Sequence, residues 1–210
     1  MIKAVISDIG NVLVSVDLNL WIASFRQIGI EIPQDFFSDP GFSELLGLYG
    51  TGKIDTEAFK SDLAKWAGVS EIPSPDFVMA WNKVILGLRR QNIKHLQNIR
   101  AMGYKVFALS DTNALHLDYI EQLYAADQPQ SSFSQLFDES YYSHLVSYGK
   151  SIDKAWLQIL ADHDLKPAEC LFIDDWLGNI ERAEKLGFFV FHFKPEHSMM
   201  DVMEYLRLQR

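Results

Sequence analysis

Several absences narrow what this chain of 210 residues can be. Cys170 is its only cysteine, which excludes an intramolecular disulfide and a multi-cysteine metal site. Lysine and arginine total 19 against 28 aspartates and glutamates, so the net charge is −9, and no basic cluster stands out. We therefore expect no nucleic acid or other polyanion as a partner.

Long apolar runs are also missing. No segment approaches the ~20 consecutive apolar residues that span a bilayer, and the first strand begins too early for a signal-peptide layout. We expect a soluble, cytoplasmic protein with no membrane partner. Hydrophobic residues make up 48% of the chain, which is enough for one large core or two smaller ones. The sequence leaves the oligomeric state open.

The first clear element is an apolar run over residues 2–6, followed closely by Asp8. β-Branched residues bounded by a polar break predict a buried strand rather than a helix. Similar short runs occur at 106–109, 170–173 and 188–193, and amphipathic helical patterns separate them. Strands that alternate with helices predict an α/β fold with a parallel sheet that helices cover on both faces.

Residues from about 17 to 87 break this alternation, because they read as helices separated by turn residues. The sequence therefore predicts a core domain of residues 1–15 and 91–210 and an inserted all-α domain of residues 16–90. The last helix predicted in the insertion carries Phe77, Trp81 and Leu88. Aromatic residues at helical spacing favour a packed core within the insertion; the alternative is that they line a binding site.

Polar residues directly follow several of the predicted strands. Asp8, Ser110 and the pair Asp174-Asp175 each come at the end of an apolar run, and Lys150 precedes a predicted helix. Ligands of open parallel sheets bind outside the carboxyl ends of the strands, so these groups should meet at one edge. The combination of residue types suits phosphoryl transfer to a carboxylate.

Each of these residues has an expected role in that chemistry. Asp8 is the candidate nucleophile, and its attack would give an aspartyl-phosphate that water then hydrolyses. Crowded carboxylates need a cation to stay ionised together, and oxygen ligands near a phosphate suit Mg²⁺. Asp8 and Asp175 would bind this metal together with the carbonyl of Gly10. Lys150 and the Ser110 hydroxyl would stabilise the transferring phosphoryl group.

Other polar residues near the strand ends are expected to support this site. Asp174 and Asn179 would orient their loop and the neighbouring lysine without touching the substrate. Asn11, Asp111 and Thr112 are candidates for contacts to the phosphate, through the backbone or the side chain.

Taken together, these residues resemble the four ordered motifs of the haloacid dehalogenase (HAD) superfamily. The matching parts are residues 8–12, Ser110, Lys150, and Asp174-Asp175 with Asn179, and they span nearly the whole chain. Residues 52–59 are similar to a segment of that superfamily's α-helical caps of the first type. The resemblance implies a Rossmann-like core, Mg²⁺ and a cap that closes over the substrate. Within the superfamily, residues 8–12 and 110–113 look closest to bacterial sugar-phosphate phosphatases of the glucose-1-phosphate kind.

One position departs from the family pattern. Phosphatases of the superfamily usually carry a second aspartate two residues after the nucleophile, which serves as general acid and base, and here that residue is Gly10. General acid–base catalysis contributes roughly 10²–10⁴-fold to rates. Asp17, Asp111 and a metal-bound water are the candidates to replace it.

The sequence thus predicts a Mg²⁺-dependent phosphatase that acts on a small phosphorylated metabolite, with sugar phosphates among the candidates. Two alternatives remain. A 2-haloacid dehalogenase would use Asp8 without a metal, but the extra carboxylates at 174 and 175 would gain it nothing. A catalytically impaired relative would bind a phosphorylated ligand or another protein, and the loss at Gly10 motivates this hypothesis.

Overall fold

The computed structural model describes residues 1–209. Its strands are β1 (Ala4–Ser7), β2 (Val14–Val16), β3 (Ile85–Leu88), β4 (Lys105–Ser110), β5 (Glu139–Tyr142), β6 (Cys170–Asp174) and β7 (Phe189–His192). Five of them form a sheet in the order β5–β4–β1–β6–β7, and every pairing is parallel. The predicted α/β class with a Rossmann-like parallel sheet is confirmed.

Both faces of this sheet are buried, as successive residues of β1 demonstrate. Ala4 and Ile6 pack in one apolar cluster with Phe172, whereas Val5 belongs to a second cluster with Val106. Neighbouring residues of a strand point to opposite faces. A strand that is covered on both faces therefore reads as an unbroken apolar run, which is why such runs located these strands in the sequence.

Helices surround the sheet and form the insertion. The insertion contains α1 (Leu18–Gln27), α2 (Pro40–Gly50), α3 (Thr56–Trp66) and α4 (Ser74–Asn82). Three of these helices begin after an aspartate whose side chain accepts N–H groups of the first turn, namely Asp17, Asp39 and Asp55. The remaining helices are α5 (Arg90–Ala101), α6 (Ala114–Asp127), α7 (Ser143–Val146), α8 (Lys154–Asp162), α9 (Leu177–Lys185) and α10 (Met199–Leu208). Across residues 1–209, no helix is both long and apolar enough to cross a membrane.

The junction between insertion and sheet differs from the prediction. The helical pattern was expected to continue through Leu88, but α4 ends at Asn82 and β3 pairs with β2 in an antiparallel ribbon. Gly87 has a φ of 146°, which a helix cannot accommodate. Both connections between the insertion and the rest of the chain thus pass through one short ribbon.

The aromatic residues of the insertion form a packed core, but this core is not separate from the sheet. Phe25, Phe59 and Phe77 are fully buried, and the Trp81 ring centroid lies 4.8 Å from that of Phe59. The same buried cluster continues to Val5 on one face of the sheet. Burial of this shared apolar surface therefore fixes the position of the insertion over the sheet.

Candidate active site

The central strand of the sheet brings the predicted site residues to one edge. Asp8 directly follows β1, which lies between β4, ending at Ser110, and β6, ending at Asp174. Ser7 is in register with Ala108 on one side and Ile173 on the other. The three polar residues therefore leave neighbouring strands at nearly the same level, as the sequence predicted.

Lys150 reaches this edge from the segment between α7 and α8. Its ammonium lies 2.9 Å from Asp8 Oδ1 and 2.6 Å from Asp174 Oδ2, and only 4% of the side chain is exposed. A cation so completely removed from water is stable only when it is paired. Lys150 therefore links the candidate nucleophile to the neighbouring strand end.

Asp174 uses both carboxylate oxygens within the protein. Oδ1 accepts the backbone N–H of Trp176 at 2.8 Å, and Asn179 Nδ2 lies 3.1 Å from each oxygen. Oδ2 accepts the hydrogen bond from Lys150. With the side chain fully buried, this arrangement holds the lysine in place and fits the orienting role expected for Asp174 and Asn179.

The residues present fit a hard divalent cation. Asp8, Asp174 and Asp175 each offer an oxygen, and these oxygens lie within 4.8 Å of one another. The only cation within salt-bridge distance of Asp8 or Asp174 among residues 1–209 is Lys150, so the carboxylates outnumber the positive charges. Oxygen donors of this kind match Mg²⁺.

Asn11 supports Asp175. Its Nδ2 donates to Asp175 Oδ2 at 2.8 Å, while its Oδ1 accepts the N–H of Val16 at 3.3 Å. Asn11 has a φ of 51°, a left-handed conformation that asparagine adopts more readily than most residues. The structure therefore brings Asn11 against a predicted metal ligand, whereas the sequence suggested a contact to the phosphate.

Burial and charge shift the pKa values of the central pair. Burial raises the pKa of Asp8 to about 7, and Asp174 adds to this effect while Lys150 opposes it. For Lys150, burial lowers the pKa, but the carboxylates of Asp8 and Asp174 outweigh burial and raise it above its ordinary value. A nucleophilic carboxylate must be ionised, so a second cation beside Asp8 would aid catalysis.

Gly10 lies where the family pattern has an acid. Its carbonyl accepts the N–H of Val12 at 2.7 Å, which leaves a second lone pair on the oxygen. A Cβ placed at Gly10 would have no other atom within 4 Å. The packing around residue 10 therefore leaves space for a Cβ and does not itself require glycine there.

The two side chains among the three candidates to replace that acid both form hydrogen bonds to the backbone. Asp17 Oδ1 accepts N–H groups at the start of α1, from Asn19 at 2.8 Å and Leu20 at 3.2 Å. Asp111 Oδ1 accepts the backbone N–H of Lys150 at 2.9 Å. Each carboxylate thus acts as a hydrogen-bond acceptor for the backbone.

The loop after β4 is held by contacts that the sequence did not reveal. Gly149 allows this arrangement, because a Cβ there would collide with the carboxylate of Asp111. Ser143 Oγ accepts the N–H of Thr112 at 2.9 Å and lies 2.9 Å from its carbonyl and 2.5 Å from that of Gly50. The Thr112 N–H therefore already donates a hydrogen bond within the protein. Ser143 directly follows β5. A search for polar residues directly after each strand, which identified Asp8 and Ser110, could therefore have identified it as well.

A second bridge between insertion and sheet involves Asn113, Trp81 and His116. Asn113 Oδ1 accepts the indole N–H of Trp81 at 3.0 Å, and its Nδ2 lies 3.0 Å from His116 Nδ1. His116 Nε2 lies 3.1 Å from the Trp81 carbonyl. This pattern requires a neutral imidazole with its proton on Nε2, and burial lowers the pKa of His116 to about 4. His116 is therefore a poor candidate for the missing acid.

A cavity of about 530 Å³ lies between the insertion and the sheet edge. Residues 111–113, which follow Ser110, and Gly149 and Ser151, which flank Lys150, form its wall on the sheet side. A ligand in this cavity would thus adjoin the predicted phosphate site. A larger groove of about 840 Å³ between α4 and α6 contains none of the predicted site residues.

The sheet order, the insertion after the first strand and the buried lysine among carboxylates agree with the HAD-like architecture that the motifs predicted. No protein-family model matches the chain. A curated D-ribitol-5-phosphate phosphatase from Bacteroides thetaiotaomicron is 25% identical over 203 residues, which cover 94% of this chain and 93% of that protein.

Solved structures give the same fold. A predicted HAD-like family hydrolase from Porphyromonas gingivalis superposes with a TM-score of 0.89 at 24% identity and covers 100% of both chains. A HAD family enzyme from Bacteroides thetaiotaomicron, in a magnesium complex, has a TM-score of 0.86 at 22% identity and covers 96% of this chain and 98% of its own. The HAD-like fold is thus confirmed.

Proposed function

We propose that the chain is a magnesium-dependent phosphomonoester hydrolase that acts through an aspartyl-phosphate at Asp8. The observation that carries this proposal is the buried ammonium of Lys150, 2.9 Å from Asp8 and 2.6 Å from Asp174. A fixed cation beside the nucleophile can stabilise the negative charge of a phosphoryl group as it transfers, and it does so in a site with little water.

The chain's own groups divide the reaction between them. An Asp8 oxygen attacks phosphorus as the bond to the alcohol oxygen breaks, and a water molecule then hydrolyses the aspartyl-phosphate. Lys150 stays protonated and offsets the phosphate charge, while the Ser110 hydroxyl donates to a phosphate oxygen. Magnesium, held by Asp8, Asp175 and the Gly10 carbonyl, would supply further neutralisation of phosphate charge when bound.

The substrate in this proposal is a small phosphorylated metabolite. The D-ribitol-5-phosphate phosphatase relative supports this class and keeps sugar and polyol phosphates among the candidates. Residues 16–90 would form a helical cap of the first type over the substrate, and the cavity between the insertion and the sheet supports this assignment.

Gly10 favours a second function, in which the chain binds a phosphorylated ligand or a protein without turnover. The other residues of the family pattern are all present and support catalysis instead, namely Asp8, Ser110, Lys150 and Asp175. A metal-free 2-haloacid dehalogenase has less support, because neighbouring buried carboxylates without a metal would repel each other and the charge of a haloacid substrate.

Phosphate release with and without Mg²⁺ tests the proposal. The variant is Asp8→Asn, and the matched control is Asp164→Asn, an exposed aspartate in the turn before β6 at the opposite end of the strands. We expect Mg²⁺-dependent release by the wild type and by the control, and none by Asp8→Asn. Halide release from 2-haloacids without Mg²⁺, or phosphate binding without turnover, would instead support the respective alternative.

A further inference from the structure

Asn11 contacts two of the proposed magnesium ligands, Gly10 through the backbone and Asp175 through the side chain. Its Nδ2 donates to Asp175 Oδ2 at 2.8 Å. Its backbone nitrogen belongs to the same planar peptide group as the Gly10 carbonyl, so whatever holds the Asn11 N–H also directs that carbonyl. This N–H donates to the carbonyl of Val14 at 2.7 Å. One residue therefore orients a ligand on each of two loops, after β1 and after β6.

The contact to Asp175 leaves half of that carboxylate for a metal. Oδ2 accepts the hydrogen bond from Asn11, whereas no residue among 1–209 donates to Oδ1. The last torsion of an aspartate is soft, so an exposed carboxylate turns easily about it. The amide of Asn11 restrains this rotation and holds the carboxylate in one orientation. A ligand that is already oriented loses less conformational entropy when the metal binds.

The other end of the Asn11 amide contacts the ribbon formed by β2 and β3. Asn11 Oδ1 accepts the N–H of Val16 at 3.3 Å, next to the point where the ladder of the ribbon shifts register between Ser15 and Val16. Both connections between the insertion and the rest of the chain pass through this ribbon. The side chain of Asn11 therefore links a proposed magnesium ligand to the base of the insertion.

The backbone of Asn11 identifies the substitution that removes this link alone. Its φ of 51° lies in the left-handed region, which glycine adopts without a steric penalty. Asn11→Gly therefore keeps the backbone conformation and removes both contacts of the amide. Asp164 has a nearly identical φ of 50° and is exposed in the turn before β6. Asp164→Gly is the matched control for the change in backbone freedom.

We propose that Asn11 is a positioning residue that couples magnesium binding at Asp175 to the order of the ribbon at the base of the insertion. This inference rests on the magnesium site of the proposed function. A bound magnesium ion that holds Asp175 also holds the Asn11 amide, and through it the Val16 N–H. Coupling of this kind is reciprocal, so an ordered ribbon raises the affinity for magnesium by the same factor.

Calorimetry of Mg²⁺ binding tests the positioning of Asp175 without any substrate. Asn11→Gly should weaken Mg²⁺ binding roughly 10- to 100-fold, the usual effect of removing a group that orients a metal ligand. Asp164→Gly should bind Mg²⁺ as the wild type does. Equal affinities in Asn11→Gly and the wild type would overturn the inference.

Amide hydrogen exchange in the wild type tests the coupling to the ribbon without a variant. Saturating Mg²⁺ should slow exchange of the Val16 N–H about fivefold or more, the lower end of typical coupling between sites. The Ala58 N–H is the internal control, because it donates to a side-chain oxygen of Asp55 at 2.8 Å on the surface of the insertion. Its exchange should not respond to Mg²⁺. An unchanged rate at Val16, or an equal change at Ala58, would overturn the coupling.

The Mg²⁺ dependence of turnover separates positioning from a loss of structure. At the Mg²⁺ concentration that half-saturates the wild type, Asn11→Gly should release phosphate roughly 5- to 50-fold more slowly, as a 10- to 100-fold weaker site requires. Its rate should approach that of the wild type at saturating Mg²⁺, because the metal site is then filled. A rate that stays low at saturation would assign Asn11 to the substrate or to the fold and overturn the positioning role.

The wild type distinguishes a failure of this inference from a failure of the proposed function. Mg²⁺ binding that does not depend on Asn11 would overturn only the coupling. Asp8-dependent phosphate release without any Mg²⁺ binding would overturn the coupling together with the magnesium requirement. Absence of Asp8-dependent release from every ester would overturn the phosphatase, and calorimetry and hydrogen exchange would then decide the coupling on their own.

Discussion

The charge balance around Asp8 depends on one side chain. Lys150 is the ammonium that contacts both Asp8 and Asp174, and all three are buried. Removing one partner of a buried ionic group leaves the others unpaired in a medium that solvates them poorly. Residue-level tests can therefore separate the stability of this group from its role in catalysis.

Lys150→Met should destabilise the protein by about 3 kcal/mol or more, because two carboxylates lose their buried partner. Urea unfolding in the presence of a chelator would measure this change. Adding Asp8→Asn should recover part of the loss, since one of the unpaired charges is then gone. Lys185→Met, at an exposed position of α9, is the control and should stay within about 0.5 kcal/mol of the wild type. A Lys150→Met protein as stable as this control would contradict the account.

The neutral state of His116 predicts a dependence of stability on pH. Its pKa is lowered by burial to about 4 in the folded protein, against 6.5 for the ordinary side chain. Between these values the unfolded chain binds a proton that the folded one does not, so stability falls as the pH decreases from 6.5 to 4. Near pH 5 the titration of His116 should therefore have lowered the free energy of unfolding by about 2 kcal/mol, at 1.36 kcal/mol per pH unit.

Urea midpoints of the wild type and of His116→Gln, compared at about pH 7 and about pH 5, would measure this contribution. Glutamine is uncharged at both values and can bond to Asn113 and the Trp81 carbonyl. The variant should therefore lose less stability than the wild type on acidification. An identical loss in both proteins would show that other groups titrate instead.

At the scale of elements, the sequence predicted those strands that a local run of apolar residues marks. The apolar runs of β1, β4 and β6 ended on polar residues, and those ends lie together because the strands are parallel. β3 was missed because Phe77, Trp81 and Leu88 happen to follow helical spacing, while its pairing with β2 joins Ser15 to Gly87 across the whole insertion. No local pattern encodes such a long-range contact.

The contacts of the site that the sequence did not predict have the same origin. The engagement of Asn11 with Asp175 and the bridge from Ser143 to the insertion both join residues far apart in the chain. The residue types were visible in the sequence, but their partners depend on how the insertion packs on the sheet.

That packing contact makes a testable prediction at Gly52. It has a φ of 66°, and a Cβ there would collide with the carbonyl of His144 at the start of the sheet-side helix α7. Gly29 has a φ of 81° but no atom within 4 Å of such a Cβ, so it is a matched control. Gly29→Ala should cost about 1–2 kcal/mol, the penalty for a left-handed alanine, and Gly52→Ala distinctly more. If urea unfolding gave equal losses of stability for the two variants, Gly52 would not be in close contact with the His144 carbonyl.

At the scale of the whole molecule, the insertion and the sheet share one apolar core, and the cavity lies where they meet. In the proposed function, the sheet edge would bind phosphate and metal, and the insertion wall of the cavity would contact the rest of the substrate. The motif residues could be recognised along the sequence, whereas the cavity depends on how the insertion packs on the sheet.

Metal binding should stabilise the folded chain as a whole. A ligand that binds only the folded state adds about 2.7 kcal/mol when its concentration is 100 times its Kd. Thermal unfolding with increasing Mg²⁺ should show this rise for the wild type and for Asp164→Asn. Asp175→Asn should show little of it, because it loses a carboxylate ligand. A full Mg²⁺ response in Asp175→Asn would place the metal elsewhere.

The central claim is that Asp8 accepts the phosphoryl group, and the most direct measurement is to trap that group on the protein. Acid quenching during turnover of an aryl phosphate with Mg²⁺, followed by mass spectrometry of the intact chain and its peptides, would locate it. We predict one added phosphoryl group on the wild-type chain, on Asp8, and none on Asp8→Asn. Phosphate release that persists in Asp8→Asn, or a phosphoryl group on another residue, would contradict the account.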